Sequence, residues 1–359
     1  MTIPSVPPAG FPDPVTIRDT VEELLRDFLD QQDRAAVDLP ELALFTGLLR
    51  ELLAAGGKRI RPVLCVTGWH AISAEPPPQA LWRAAASMEL FHAFALIHDD
   101  IMDNSATRRG RPTAHRALAS LHPGRPDADS LGVNAAILLG DLALGWSDEL
   151  LHTPEITTAQ AALIWPHLNA LRRETLVGQY LDLAATGQVP ADPATAWRII
   201  RYKTAKYTVE RPLQLGALLA GASPVQLRVL SEYATPLGEA YQLRDDLLGV
   251  YGDPRHTGKS TLEDLREGKQ TVLISLAGKT ASTAQQHTLR THLGNQDLTE
   301  PDAIRIRKIL HTSRARRTVE HLIADRHRLA LNALDNDHLR PAATEALRHL
   351  AEQFQHRTA

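Results

Sequence analysis

The sequence predicts an all-α protein, a single large helical bundle around a central cavity, and three observations carry that prediction. From Thr16 onward apolar residues recur at three- and four-residue intervals, as in Ile17, Val21, Leu24, Leu25 and Phe28 and again in Leu227, Leu230, Tyr233, Leu237, Tyr241 and Leu248, which is the period of an amphipathic helix. Strand-like alternation of apolar and polar residues is nearly absent. Proline and glycine punctuate the chain at 75–78, 123–126, 187–193, 223–224 and 252–258, and the segments between have helical lengths of about 12 to 30 residues.

In chain order, residues 1–16 carry Pro4, Pro7, Pro8, Pro12 and Pro14 and read as a flexible Pro-rich arm, because proline inside a helix removes a donor and clashes with the preceding turn. Residues 17–359 read as one all-α domain, since no linker, composition break or fixed-period repeat divides them. With 43% hydrophobic residues the whole chain can bury a sizeable core, and its formal net charge of -3 gives none of the basic excess that a nucleic-acid partner requires. The single cysteine, Cys65, excludes an intrachain disulfide, and the first residues have neither the basic nor the apolar region of an export signal, so a cytoplasmic setting is expected. No membrane span is expected either, since even Leu213 to Ala222 is short and interrupted by Gln214 and Gly216.

The chemistry concentrates in two acidic segments. In LFHAFALIHDDIMD, residues 90–103, Asp99 and Asp103 lie one helical turn apart around Asp100, with Cβ atoms about 5–6 Å from each other, so both carboxylates reach one ion. Arg108, Arg109 and Arg111 follow directly. Carboxylates suit hard Mg²⁺, which prefers one or two of them plus phosphate oxygens, and arginine grips phosphate in a bidentate fork. Acid beside base at the mouth of an apolar helix suits a diphosphate with an apolar tail. An isolated pair of this kind is more often a solvated helix end, but a counterpart follows in YQLRDDLLG, with Gln242, Asp245 and Asp246 on another amphipathic helix. Upstream, Lys58, Arg59 and Arg61 follow Gly56 and Gly57, two glycines that free the backbone to approach a phosphate. His92 stands seven residues before Asp99, close to the same helical face. Lys206 and Arg211 are as readily explained by pairing with acidic neighbours and stay outside the candidate site.

These blocks occur in a fixed order: GGKRIRP at Gly56 to Pro62, HDDIMD with RRGRPTAH through His115, YKTAKYTVERP from Tyr202, YQLRDD from Tyr241, then GDPRHTGKS and EGKQT. In that order they resemble the trans-isoprenyl diphosphate synthases of the polyprenyl synthetase family, over Gly56 to about Val272, most closely the short-chain geranylgeranyl diphosphate synthases. The resemblance implies the isoprenoid synthase type I fold, a homodimer, and head-to-tail condensation of isopentenyl diphosphate with dimethylallyl, geranyl or farnesyl diphosphate. It implies that Asp99 and Asp103 bind two Mg²⁺ ions on the allylic diphosphate and that Asp245 binds a third, with Asp246 behind it. By the same matching, Lys58, Arg61, His92 and Arg109 hold isopentenyl diphosphate. Arg108, Lys203 and Lys259 hold the allylic diphosphate, Lys269 extends that rim, Thr204 and Gln242 offer oxygen dipoles to the carbocation, and the released diphosphate takes the final proton.

Two features qualify the resemblance. Gly249 stands where the commoner second motif has a third aspartate, and neither Asp253 nor Glu263 has the spacing to replace it. Product length in this family is limited by side chains below the first motif. Phe94, five residues before Asp99 and so about 7.5 Å down the helix axis, with Ala95 beside it, is the arrangement associated with a C20 product; C15 is the alternative, and Phe91 one turn deeper reads as core. A class I terpene cyclase would share the acidic motif but would have no use for a second diphosphate site, and a non-catalytic regulatory subunit would have lost the aspartates or the basic rim.

Overall fold

In a computed structural model of the protein, residues 12–188, 192–253 and 260–355 are described. They are helical nearly throughout, as the periodicity predicts. The sheet among them is a two-residue hairpin, β1 (Thr107–Arg108) against β2 (Arg111–Pro112). The first helix, α1 (Pro14–Ala35), begins inside the stretch expected to be loose: the Asp13 carboxylate caps it by accepting from the Val15 amide at 3.1 Å. Pro14 at the first helical position lacks only an N–H that no helix uses. The rest of the expected arm, residues 1–11, lies outside the described residues.

Two compact units can be distinguished, one of residues 12–164 with Leu215–Gly221, the other of Trp165–Gln214 with the chain from Ala222. In the first, α4 (Gln79–Met102) is surrounded by α1, α2 (Pro40–Ala54), α3 (Ile60–Ile72), α5 (Ala114–Ser120) and α6 (Ala128–Glu149). Its residues from Ala84 to Phe91 are buried without a break, too many for one face, as expected of a helix enclosed on all sides. Close approaches are made at glycines. A Cβ at Gly140 on α6 would lie 2.3 Å from His98 Cε1, and one at Gly216 would lie 1.7 Å from the Cys65 carbonyl oxygen. Cys65 is fully buried, and desolvation pushes its thiol up to about 12.

Helix α6 corrects the expectation that no stretch approaches a membrane span, since its length and composition alone meet that test. Little of that stretch is buried, and Ile137 and Leu138 stand exposed on it.

In the second unit, α10 (Pro224–Tyr251) packs against the helix Ala315–Asn332 and against Ile200–Glu210, which lies in the chain between α8 (Pro193–Ile199) and α9 (Arg211–Leu219) and is wound as a π-helix. Ser223 and Gln226 form a capping box at the start of α10. Its buried Leu243 and Leu247 join Leu265, Leu273, Ile306 and Val319 in one apolar cluster. The π-helix was not foreseen from periodicity, and two glycines clasp it. A Cβ at Gly178 on α7 (Thr158–Ala185) would lie 2.5 Å from the Lys203 amide nitrogen, and one at Gly238 on α10 would lie 2.5 Å from Ala205 Cα. Such wide turns are rare and often mark functional positions.

Candidate active site

At the end of α4, Asp103 is the C-cap residue, and its amide donates to the Asp99 carbonyl at 2.8 Å, so the two carboxylates stand one turn apart as the spacing predicts. Asp100 between them is 2% exposed and holds Arg108: Nε lies 2.9 Å from each carboxylate oxygen, and Nη2 lies 2.7 Å from Oδ1 and 3.4 Å from Asp99 Oδ2. Burial pushes the Asp100 pKa up against the opposing pull of Arg108. Asp100 therefore positions the arginine.

The hairpin turn carries Arg109 at φ 53° and Gly110 at φ 75°, positive values of the kind a two-residue β-hairpin needs. Its guanidinium lies over Gly57, where a Cβ would fall 3.1 Å from Nη1. Gly57 thus makes room for an arginine, a reason the sequence alone did not show. Arg59, at φ 45°, turns inward: Nη1 donates to Glu89 Oε2 at 2.7 Å, Nε donates to Glu22 Oε1 at 3.2 Å, and Nη2 donates to the Leu53 carbonyl. With Arg59 buried as an anchor, Lys58 is exposed and Arg61 half-buried. His92 is desolvated, and the surrounding Arg61, Arg109, Arg108 and Arg59 lower its pKa further, well below the usual 6.5. The first unit thus collects Arg61, His92, Arg108 and Arg109 in one electropositive neighbourhood.

Below the acidic end of α4, Phe94 is 7% exposed, its ring centroid 5.4 Å from Phe91 and 4.8 Å from the His98 ring. Phe91 is fully buried core, as expected, and Ala95 is half-buried.

In the second unit, Lys203 on the π-helix donates to Asp182 Oδ2 at 2.6 Å. The Thr204 hydroxyl donates to Gln242 Oε1 at 2.7 Å, and Gln242 Nε2 donates to Asp246 Oδ1 at 2.9 Å. Asp246 is 7% exposed, and its other oxygen, Oδ2, is buried with no partner among the described residues. Burial, with Asp264, Asp245 and Asp182 adding to it, pushes the Asp246 pKa up to about 8. Lys269 Nζ lies 2.5 Å from Glu267 Oε2 and 3.8 Å from Asp264 Oδ1. Arg211 pairs with Glu174 at 2.8 Å and Lys206 with Glu210 at 3.3 Å, consistent with leaving both outside the site. Lys259 lies outside the described residues. Sequence reading missed Asp182 and Asp264. Asp182 stands outside the acidic motifs and Asp264 beside Glu263 on a short polar segment, and their charges act on Asp246 only in the folded chain. Among the described residues no three His, Cys, Asp or Glu side chains converge closely enough to hold a metal ion by themselves.

A family model described as polyprenyl synthetase matches residues 43–310. The chain is 31% identical over 297 residues to a short chain isoprenyl diphosphate synthase of Methanocaldococcus jannaschii, covering 83% of this chain and 82% of that one. It is 33% identical over 256 residues to a farnesyl diphosphate synthase of Geobacillus stearothermophilus, covering 68% and 80%. Its fold superposes, with a TM-score of 0.90 and 35% identity over 96% of this chain and 100% of the other, on a crystal structure of geranylgeranyl pyrophosphate synthase from Corynebacterium glutamicum complexed with isoprenyl diphosphate and magnesium. The chain therefore belongs to the polyprenyl synthetase family, all-α transferases that build prenyl diphosphates.

Proposed function

We propose that this trans-prenyltransferase condenses isopentenyl diphosphate with dimethylallyl, geranyl and farnesyl diphosphates and stops at C20, geranylgeranyl diphosphate. The observation that supports the two-substrate reading is that Arg61 and Arg109 gather with Arg108 around His92, while Arg108 is also held by Asp100. One diphosphate site would need fewer fixed cations than these. Lys58, Arg61, neutral His92 and Arg109 hold isopentenyl diphosphate; Arg108, Lys203, Lys259 and Lys269 hold the allylic diphosphate. Fixed cations at the departing diphosphate act where negative charge develops.

The residues fit magnesium. Asp99, Asp103 and Asp245 are hard oxygen donors, phosphate oxygens and waters complete such a shell, and Asp246 Oδ2 is a buried acceptor with no protein donor among the described residues. Three ions are proposed, two at Asp99 and Asp103 and one at Asp245. When bound, magnesium neutralises the leaving diphosphate. We propose that Thr204 and Gln242 offer oxygen dipoles to the cation: the Thr204 proton is committed to Gln242 Oε1 and one Gln242 amide hydrogen to Asp246, so the Thr204 oxygen keeps its lone pairs.

We propose Phe94, braced by Phe91 and His98, as the floor on the growing tail, with Ala95 leaving room beside it. The exposed apolar residues of α6, Ile137 and Leu138, suit a homodimer interface better than a membrane span, and a cytoplasmic location fits the polar diphosphate substrates. The test incubates the purified protein with Mg²⁺, labelled isopentenyl diphosphate and each allylic primer in turn. C20 products are expected, Phe94→Ala is expected to lengthen them, and no incorporation from any primer would sink the reading.

A further inference from the structure

The chain as a whole is slightly acidic, yet residues 303–319 hold six cations, Arg305, Arg307, Lys308, Arg314, Arg316 and Arg317, and not one carboxylate. The rest of the chain sets 33 lysines and arginines, the 39 of the whole less these six, against 42 acidic residues. In the structure this run is the corner between two packed helices, Glu300–Thr312 and Ala315–Asn332, joined by Ser313 and Arg314 alone. Ile306, Ile309, Leu310, Ala315 and Val319 are buried, which turns the positions between them outward: Ile304, Arg305, Lys308, Arg314, Arg316 and Arg317 are exposed. At a rise of about 1.5 Å per residue, Lys308 stands about 6 Å before the corner and Arg317 about 3 Å beyond it. Acidic neighbours take up part of this charge, with Asp302 3.3 Å from Arg305, Glu300 2.5 Å from Arg307 and Glu320 3.2 Å from Arg316. Among the described residues no carboxylate pairs with Lys308, Arg314 or Arg317. Arg314 takes φ 61° at the tip of the corner, a left-handed position where glycine or asparagine is the ordinary choice, so a charge is carried there against backbone preference.

We propose that this corner docks the protein on the surface of an anionic lipid bilayer. Charge complementarity calls for an extended array of negative groups, and clustered lysines and arginines on a helical surface bind such a leaflet within a Debye length of it. Ile304, 57% exposed and one turn before Lys308 on the same helix, favours lipid over nucleic acid, because an apolar side chain beside cations gains by entering the headgroup boundary. The transferases of this family build prenyl diphosphates, amphiphiles whose apolar tails belong in a bilayer. The corner also lies against the end of α10: Arg307 Nε donates to the Val250 carbonyl at 2.9 Å, and the Arg316 guanidinium stands 4.5 Å from the Tyr251 ring centroid. Asp246 is five residues, about 7.5 Å of helix, before Tyr251. Docking thus holds the acidic end of α10 beside the membrane that receives the product.

Docking of this kind depends on the family's product class and not on a C20 length. The full-length protein is sedimented with vesicles of phosphatidylglycerol and phosphatidylcholine, and with vesicles of phosphatidylcholine alone, at roughly 0.1 M salt. Binding to the anionic vesicles only is expected, weakening as salt rises. Each cation at such a surface contributes about fivefold, so Lys308→Gln, Arg314→Gln and Arg317→Gln combined should lower the partition coefficient about a hundredfold and leave turnover of soluble substrates unchanged. Ile304→Ser should weaken vesicle binding further and leave binding to a DNA duplex as it was. Inorganic pyrophosphate at matched ionic strength, added to fill the proposed diphosphate sites, should not release the protein. Equal partition of wild type and triple variant, equal binding to neutral vesicles, or release by pyrophosphate each overturns the proposal, as does tighter binding to the duplex than to the vesicles. If the triple variant loses helicity by circular dichroism, Lys308→Gln and Arg317→Gln singly decide the matter, each with a loss of about fivefold. Wild-type protein that binds anionic vesicles but incorporates no isopentenyl diphosphate would sink the proposed activity and leave the docking surface standing.

Discussion

Arg59 sits near Lys58 and Arg61, the two residues proposed to hold substrate, but is itself buried. Turned inward on Glu89, Glu22 and the Leu53 carbonyl, it fixes the start of α3 so that Lys58 and Arg61 are held in place before any diphosphate arrives. Glu89→Gln leaves a guanidinium buried without its main counter-charge, and the expected cost is about 3 kcal/mol in chemical denaturation. The same variant should raise the KM for isopentenyl diphosphate more than that for the allylic primer. His92 gives a prediction of opposite character. Its pKa in the folded chain is held well below the unfolded value of 6.5, so below pH 6.5 the unfolded chain takes up a proton that the folded chain does not. Stability is therefore full above that value and falls as pH drops, by up to about 1.4 kcal/mol per pH unit from this residue. His92→Gln should flatten the pH dependence of the melting temperature between pH 6.5 and 5.

At the scale of elements, the π-helix Ile200–Glu210 shows what sequence periodicity conveys and what it omits. YKTAKYTVERP marks Lys203 and Thr204 as proposed site residues, yet nothing in its apolar spacing announces a wider turn, because a segment of 11 residues holds too few apolar positions to define a period. The structure supplies the cause in Gly178 and Gly238, whose missing side chains let α7 and α10 close on the Lys203 and Ala205 backbone. Gly178→Ala should push that backbone away, with Lys203 moving off Asp182. Activity is expected to fall by at least tenfold at saturating substrate, while the melting temperature falls only a few degrees. Equal loss in both would mean that the glycine serves packing alone. The first acidic helix was more legible. Residues 90–103 form the end of α4 as predicted, because a long apolar run, two aspartates one turn apart and a following basic hairpin are all local in sequence. Asp182 and Asp264 were invisible for the converse reason, since their place beside Asp246 is made by folding. Proline counting misread the start of α1, because a proline at the first helical position obeys a different rule from one inside a helix.

For the whole molecule, the all-α class and the family follow from blocks spread over most of the chain, so both were readable before any coordinate. Less readable was α6, whose apolar face satisfies the composition of a membrane span and of a subunit interface equally well. Exposure decides how to test it: Leu138 is 60% exposed, and Leu138→Arg should convert a dimer to a monomer in sedimentation velocity while leaving helicity by circular dichroism unchanged. A wild type that already sediments as a monomer would remove the dimer proposal.

Cys65, fully enclosed beneath Gly216 and with its thiol pushed up to about 12, is chemically silent at neutral pH, because the reactive form is the thiolate. The natural chain is therefore already a blank background for site-directed labelling. A cysteine placed at exposed Leu138 or Tyr180 becomes the one reactive sulfur on the surface, so a single fluorophore or spin label can follow assembly and ligand binding without first deleting anything.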